Sequence, residues 1–464
     1  MKGKPMKKAI WLLFVCLWVF DLPAQTSVEL HQYVELARNL RRVGLNGEYA
    51  YTLLKELTAL GPRLAGSPQA AASVEWSRQK MVDLGLENVH LEPVEVQRWV
   101  RGTEERARVI SGRLGSKDLT ICALGGSPPT PDDGILASVV EVRSFEQLEK
   151  MGENVRGKIV FFNVAMDRSH LRTFRAYGEA ARYRVQGASQ ASRFGAIAVL
   201  VLSLTLRIDD VPHTGVVAYD KRYPKIPAAA ISTLDAERLH RILSRDPAAK
   251  VFLKLNCRNL SPVLSANIMG EIRGKEKPEE IVVLAAHLDS WDLGVGAHDD
   301  GAGCVQVLEA LRLLKHLNVP LKRTVRGVFF MNEEFGATGG REYVHSPNRK
   351  SETHIAAVES DAGGFLPLAF SARTDSTGLK KLRRWLPVFT EIGIHRILPG
   401  GGGADIGAMR RWNTLLIGLV PDSQRYFDVH HSALDVLDAV HPRELELGAI
   451  ALALMAALLA NSGG

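Results

Sequence analysis

From residue 264 onward the chain alternates short, wholly apolar runs with longer segments of helical periodicity. Ile281 to Ala286, Val325 to Met331, Ile355 to Val358 and Thr414 to Leu419 read as buried strands. Gly303 to His316, Leu379 to Phe389 and Leu445 to Leu459 read as helices. Strands without polar alternation need cover on both faces, and intervening helices supply it, so the class is α/β. The last helix, rich in Ala and Leu, reads as too short for a membrane span. The chain has 464 residues, 46% hydrophobic and 23% charged, which excludes global disorder and a coiled-coil rod and favours two or three domains.

Functional residues of open α/β sheets sit at the carboxyl ends of strands. Here every such end carries acid or histidine. His287-Leu-Asp289-Ser290-Trp291 follows the first run, and Gly296-Ala-His-Asp299-Asp300-Gly-Ala-Gly303 opens the first helix. Asn332-Glu333-Glu334-Phe-Gly336, Glu359-Ser360-Asp361-Ala-Gly-Gly364 and Tyr426-Phe-Asp-Val-His430-His431-Ser432 follow later runs. Taken singly, each has a structural reading: an Asp caps a helix, a His is satisfied in the core, a Glu pair faces solvent. Taken together, in the order His, Asp, Glu, Asp, His, they point to one site. Adjacent carboxylates repel unless protons or a metal neutralise them. Imidazole with carboxylate suits zinc, and a carboxylate shared by two ions gives the roughly 3.5–4 Å spacing of a two-metal hydrolase. The spare Glu beside a ligand Glu is a natural general base.

Upstream, residues 29–60 carry a helical stripe of Leu30, Tyr33, Leu36, Leu40, Tyr51, Leu54 and Leu57 that ends at Gly61-Pro62. Glu75 to Leu84 reads as a helix and 90–112 as strands. After the turn-rich Gly125 to Pro131, strands are expected at Ala137 to Val142, Lys158 to Phe162, Ala196 to Leu202 and Ile226 to Ile231, with a helix opening at Gly187-Ala188. Block 115–257 thus reads as mostly β, without a catalytic cluster.

Residues 1–24 have a lysine-rich start, an apolar run from Ala9 to Phe20 and a plausible cut after Ala24, the pattern of a cleaved secretory leader. Lipidation at Cys16 is disfavoured by bulky Val15, and retention as an uncleaved anchor is the alternative. Removing the leader takes four lysines and one aspartate, reducing the formal charge from +7 to +4. The remaining basic residues are scattered, so no nucleic-acid partner is expected. Of four cysteines, Cys122, Cys257 and Cys304 stay, too few for a disulfide scaffold; Cys304 reads as a buried thiol. The chain is expected to be exported, periplasmic or extracellular, with no stable membrane span after cleavage.

The ordered motifs HLDSW, GAHDDGAG, NEEFG, ESDAGG and HHS resemble those of the di-zinc exopeptidases of peptidase family M28, most closely its carboxypeptidase Q group. The resemblance covers nearly the whole mature chain. It implies a zinc-exopeptidase fold with a mixed central sheet covered by helices. The peptidase domain would comprise 25–114 and 258–464, with 115–257 an inserted, mostly β protease-associated domain. It implies two zinc ions: His287 and Asp361 on one, Glu334 and His431 on the other, Asp299 bridging. Glu333 would take the proton of the attacking water and pass it to the leaving amine. Asp289 would orient His287, and Tyr426 would stabilise the oxyanion. His431 is preferred to its neighbour His430 because the family places Asp four residues beyond the ligand, which Asp435 satisfies; Val436 stands where the family often has Thr. His298 is read as a bystander.

The implied activity is metal-activated water attack on dipeptides or short peptides, as a carboxypeptidase or dipeptidase. An aminopeptidase and a glutaminyl cyclase-like enzyme are the alternatives. Arg373, Arg410, Arg411 and Arg425 are candidates for holding a terminal carboxylate, and the loop Gly400 to Gly403 is either a pocket wall or a mobile turn. The resemblance also implies a homodimer. Asn259-Leu-Ser261 is the one glycosylation sequon.

Overall fold

The computed structural model describes residues 24–462. The leader assigned to 1–24, with Cys16, lies outside them except for Ala24, the first residue of helix Ala24–Gly44. The main sheet has eight strands, in the order Glu87–Val100, Arg258–Ile272, Arg323–Phe330, Lys277–His287, Thr353–Glu359, Leu415–Pro421, Pro367–Arg373 and Arg396–Pro399. Lys277–His287 lies between two parallel neighbours, and Leu415–Pro421 extends the parallel block. Antiparallel pairs at both sides make the sheet mixed, as the resemblance implies.

Every apolar run read as a strand is one. Arg258–Ile272, Pro367–Arg373 and Arg396–Pro399 are additional. The first is exposed over its leading half and buried only beyond Ser265, so it shows no continuous apolar run. The other two are short, contain proline and lie toward one edge, where a missing N–H is tolerated.

Helices Ala302–His316 and Pro442–Asn461 pack on each other over one face, joined by Ala24–Gly44 and Tyr49–Ala59. Pro442–Asn461 starts before the apolar stretch read from the sequence. Its 20 residues are long and apolar enough to cross a membrane, yet 83% of its most apolar window is buried inside the protein. Its composition therefore reflects helix and sheet packing on all sides. Truncating a core leucine such as Leu454 to Ala would cost about 2–5 kcal/mol.

A second eight-stranded sheet runs Gly115–Leu119, Glu105–Ser111, Lys250–Leu255, Ile135–Val142, Ile159–Phe162, Ala198–Leu202, Ala228–Ile231 and Ile121–Ala123. Its middle strands are parallel. Glu105–Ser111, read with the preceding run, belongs here because it pairs with both Gly115–Leu119 and Lys250–Leu255. The helix expected to open at Gly187-Ala188 instead begins at Thr173 and ends at Ser192. Apart from Tyr183 and Arg184, its buried face is made of small residues, among them Ala176, Ala180, Ala188 and Ala191, which hides its periodicity. Arg101 ties the two sheets: it forms a two-pronged pair with Asp292, at 2.9 and 2.6 Å, and donates to the Ala123 carbonyl of the second sheet at 2.7 Å. Cys122, Cys257 and Cys304 are free and buried. Asn259 donates its side-chain amide to the Gly126 carbonyl at 3.1 Å.

Candidate metal centre

The five strand-end motifs converge on one buried cluster. Asp299 sits at its middle, and its two carboxylate oxygens face opposite ways. Oδ1 lies 3.2 Å from Nε2 of His287, which is also 3.5 Å from Asp361. Oδ2 lies 3.2 Å from Nε2 of His431, which is also 3.1 Å from Glu334. Each imidazole thus faces two carboxylates, one of them shared.

The tautomers follow from the far edges of the rings. Nδ1 of His287 donates to the main-chain oxygen of Asp289 at 2.9 Å, and Nδ1 of His431 faces that of Thr214 at 3.3 Å. A carbonyl can only accept, so both Nδ1 atoms carry hydrogen and both Nε2 atoms turn toward carboxylates. Such an approach needs a proton or a cation in between. In the metal-free protein it is a proton. Burial opposes charging of His431, but Glu334 and Asp299 push it up to about 9. Burial would likewise raise Asp299, yet the hydrogen bond of His287 and the charge of His431 hold it well below the usual carboxylate range. Oδ2 of Asp299 and Oε1 of Glu334 are buried without a hydrogen-bond partner. An orphaned Asp299 oxygen facing an imidazole nitrogen, with a Glu334 carboxylate beside it that has a spare oxygen, is a donor set a zinc ion takes, so these residues fit the metal.

His430 lies close as well. Its ring stacks on His431 at 3.5 Å, and its Nε2 is 3.6 Å from Asp299, so Asp299, His430 and His431 also form a ligand-capable trio. It differs from His431 in having no ion-pair contact to Glu334 among the described residues. His298 is turned away: it accepts from the Gly364 amide and stacks on Phe365 at 4.1 Å.

The surrounding backbone is held by buried polar side chains. The Asp289 carboxylate is 3.8 Å from Nδ1 of His287 and instead accepts the main-chain amides of Asn332, Glu333 and Glu334, at 2.7, 3.0 and 3.3 Å. Asp435 accepts the amides of His298 and Asp299, at 2.7 and 3.1 Å. Arg63, which sequence reading missed, is wholly buried and donates to the carbonyls of Leu288, Val295 and Gly296. Cys304 packs behind the centre, its thiol 3.1 Å from the His287 carbonyl. At Gly303 a Cβ would lie 2.1 Å from the Ser360 carbonyl, so only glycine lets the helix start this close to the Asp361 strand end.

A cavity of about 260 Å³ opens onto the cluster, lined by Glu333, Asp361, Tyr426 and His431 from the main sheet side and by Tyr177 and Arg184 from helix Thr173–Ser192. Burial, followed by the charges of Asp361 and Glu334, pushes the Glu333 carboxyl well above its usual range. Tyr426 is buried, its ring stacked on Phe174 at 5.2 Å. The block read as lacking chemistry thus supplies one wall of the cavity. Arg373, Arg410, Arg411 and Arg425 do not line it. Arg425 is exposed and pairs with Glu444, and Gly403 abuts the buried Glu359 carboxylate.

A mixed sheet carrying paired imidazoles and carboxylates at its strand ends defines a metallohydrolase. Residues 267–393 match the model of peptidase family M28. Carboxypeptidase Q of Bos taurus is 34% identical over 437 residues, covering 93% of this chain and 90% of that protein. The crystal structure of a peptidase M28 precursor from Shewanella amazonensis SB2B superposes with a TM-score of 0.89 at 32% identity, covering 94% of this chain and 98% of that one. A zinc aminopeptidase from Bacillus subtilis, 22% identical with a TM-score of 0.64 over 88% of this chain and 94% of its own, shares the fold. The chain therefore belongs to peptidase family M28 and is a zinc metallopeptidase.

Proposed function

We propose that this chain is an exported exopeptidase that hydrolyses dipeptides or short peptides, releasing the C-terminal residue. The observation that carries this reading is the Asp299 carboxylate, whose two oxygens each face a separate imidazole–carboxylate pair. His287 and Asp361 would hold one zinc ion, Glu334 and His431 a second, and Asp299 would serve both. When bound, the ions supply Lewis acidity that polarises the peptide carbonyl and acidifies the attacking water. His430 would brace His431 by stacking.

Glu333 lines the cavity with a raised carboxyl, as a base working near neutral pH needs. It takes the proton of the attacking water and delivers it to the leaving amine. Asp289 fixes the backbone on which Glu333 and Glu334 stand, and its carbonyl orients His287. Tyr426, on the cavity wall, would donate its O–H to the tetrahedral oxyanion. A cavity of about 260 Å³ is smaller than the roughly 300–1,000 Å³ of sites that take drug-sized ligands, which favours short peptides. The second sheet is compatible with an inserted protease-associated domain, read from the sequence as 115–257 but with Glu105–Ser111 also in its sheet, and a homodimer is the proposed assembly.

Metal analysis with hydrolysis of a dipeptide panel, with and without chelator, tests the activity. Peptides blocked at either end then decide between carboxypeptidase and aminopeptidase. Cleavage that requires a free amino terminus and ignores a blocked carboxyl terminus would replace this reading with the aminopeptidase one.

A further inference from the structure

Arg184 is an unusual residue for its position. Its side chain is buried, with 5% exposure, and it forms no ion pair with any carboxylate among the described residues. A buried guanidinium is costly unless paired or fully hydrogen-bonded. Two of its five N–H groups are clearly used: Nη2 donates to the Tyr177 hydroxyl at 2.7 Å and Nη1 to the Thr214 carbonyl at 3.3 Å. Nε has no partner. The cation lies in a built cradle. On one side the Tyr177 ring centre is 5.4 Å from Cζ. On the other is Gly215, at φ +141, where a Cβ would come within 2.3 Å of Cζ, so a side chain there would expel the guanidinium. Arg184 and Tyr177 both line the cavity that holds Glu333 and the metal-ligating cluster.

We infer that Arg184, with the Tyr177 hydroxyl, is the anchor for the α-carboxylate of the peptide's C-terminal residue. Tyr177 accepts from Arg184 and so keeps its own hydrogen to donate to an anion. Nη1 of Arg184 is 3.5 Å from Nδ1 of His431, the ring edge turned away from Asp299 and Glu334. The anchor and the hydrolytic cluster are thus separated by little more than one imidazole ring. Successive Cα atoms are about 3.8 Å apart, so a carboxylate held at Arg184 leaves the preceding peptide carbonyl within reach of the cluster. Only the last peptide bond is then placed for attack. This deepens the exopeptidase reading and rests on it: the main sheet supplies the reaction centre, while the helix from the second sheet sets which end of the peptide is read.

The test compares a dipeptide with its C-terminal amide on the zinc-loaded full chain. The wild type is expected to favour the acid in kcat/KM by about 10- to 100-fold, the value of a hydrogen-bonded charge. Arg184→Met should lose that preference, mainly through a higher KM for the acid, and Arg184→Lys should recover part of it. Equal loss on acid and amide, or a wild type without acid preference, overturns the assignment. A zinc-loaded wild type that cleaves no peptide overturns the peptidase reading instead. Calorimetric binding of the same acid and amide to wild type and Arg184→Met then still decides the anchor: acid preference lost in the variant supports it, and equal binding of the two by the wild type refutes it.

Discussion

Oδ1 of Asp289 accepts the main-chain amide of Glu333 at 3.0 Å, so the acid two residues after His287, a proposed zinc ligand, sets the position of the proposed base. The same carboxylate also takes the amides of Asn332 and Glu334. It ties two strand ends together through backbone, and an Asn of the same size cannot accept at both ends. Asp289→Asn is expected to lower kcat/KM by about 10- to 100-fold while zinc remains bound, the usual cost of losing a group that orients a metal site. Steady-state kinetics with metal analysis checks this, and activity within twofold of wild type would remove Asp289 from the machinery.

Glu333→Gln keeps the shape of the side chain and removes its basicity. Zinc content and melting temperature should stay near wild type, while turnover falls by at least about 10²–10⁴-fold. A variant that retains most of its activity would sink the assignment of Glu333 as base.

The convergence of the proposed ligands was legible because they lie in local motifs. Each of His287, Asp299, Glu334, Asp361 and His431 follows an apolar run or opens a helix, and parallel pairing of Lys277–His287 with its two neighbours aligns those strand ends. What escaped were contacts made across the chain. Arg63 reaches Leu288 over more than two hundred residues, and Arg184 meets His431 across a similar separation. No spacing rule marks either, since a buried arginine and an exposed one look alike in sequence. The one local signal at Arg184 is a helix whose other buried positions, Tyr183 apart, are all small residues. The strands Pro367–Arg373 and Arg396–Pro399, the last two toward one edge, escaped for a different reason: their proline content weakened the strand pattern.

Loading the centre with zinc should also stabilise the fold, since the paired imidazoles and carboxylates exist as a set only when folded. Ligand that binds the native state alone adds about 4 kcal/mol at a thousand times its dissociation constant. Chelator-stripped protein is expected to melt at a lower temperature than the reloaded protein, and His431→Ala should lose most of that difference. Identical melting curves for stripped and reloaded wild type would mean that the cluster does not bind the ion tightly.

A second acid, far from the cavity, predicts how the fold responds to pH. Glu92 and Arg349 form a buried pair, 8% and 4% exposed, with Oε1 of Glu92 2.5 Å from Nη2 of Arg349. Burial by itself would raise the Glu92 carboxyl, but the His90 imidazole 3.6 Å away, a hydrogen bond from Asn348 and the charge of Arg349 hold it at about 2, against 4.5 ordinarily. A carboxyl whose pKa is depressed by folding stabilises the native state above the unfolded pKa and loses that contribution as pH falls through the folded one. The contribution, about 3 kcal/mol at about 1.4 kcal/mol per unit, is therefore fully present at pH 6 and fades between pH 4.5 and 2. Urea unfolding of wild type and Glu92→Gln across this range measures it. The variant should be less stable at pH 6 and show a correspondingly shallower fall on acidification. Parallel curves for the two proteins would show that the pair adds nothing to the acid sensitivity of the fold.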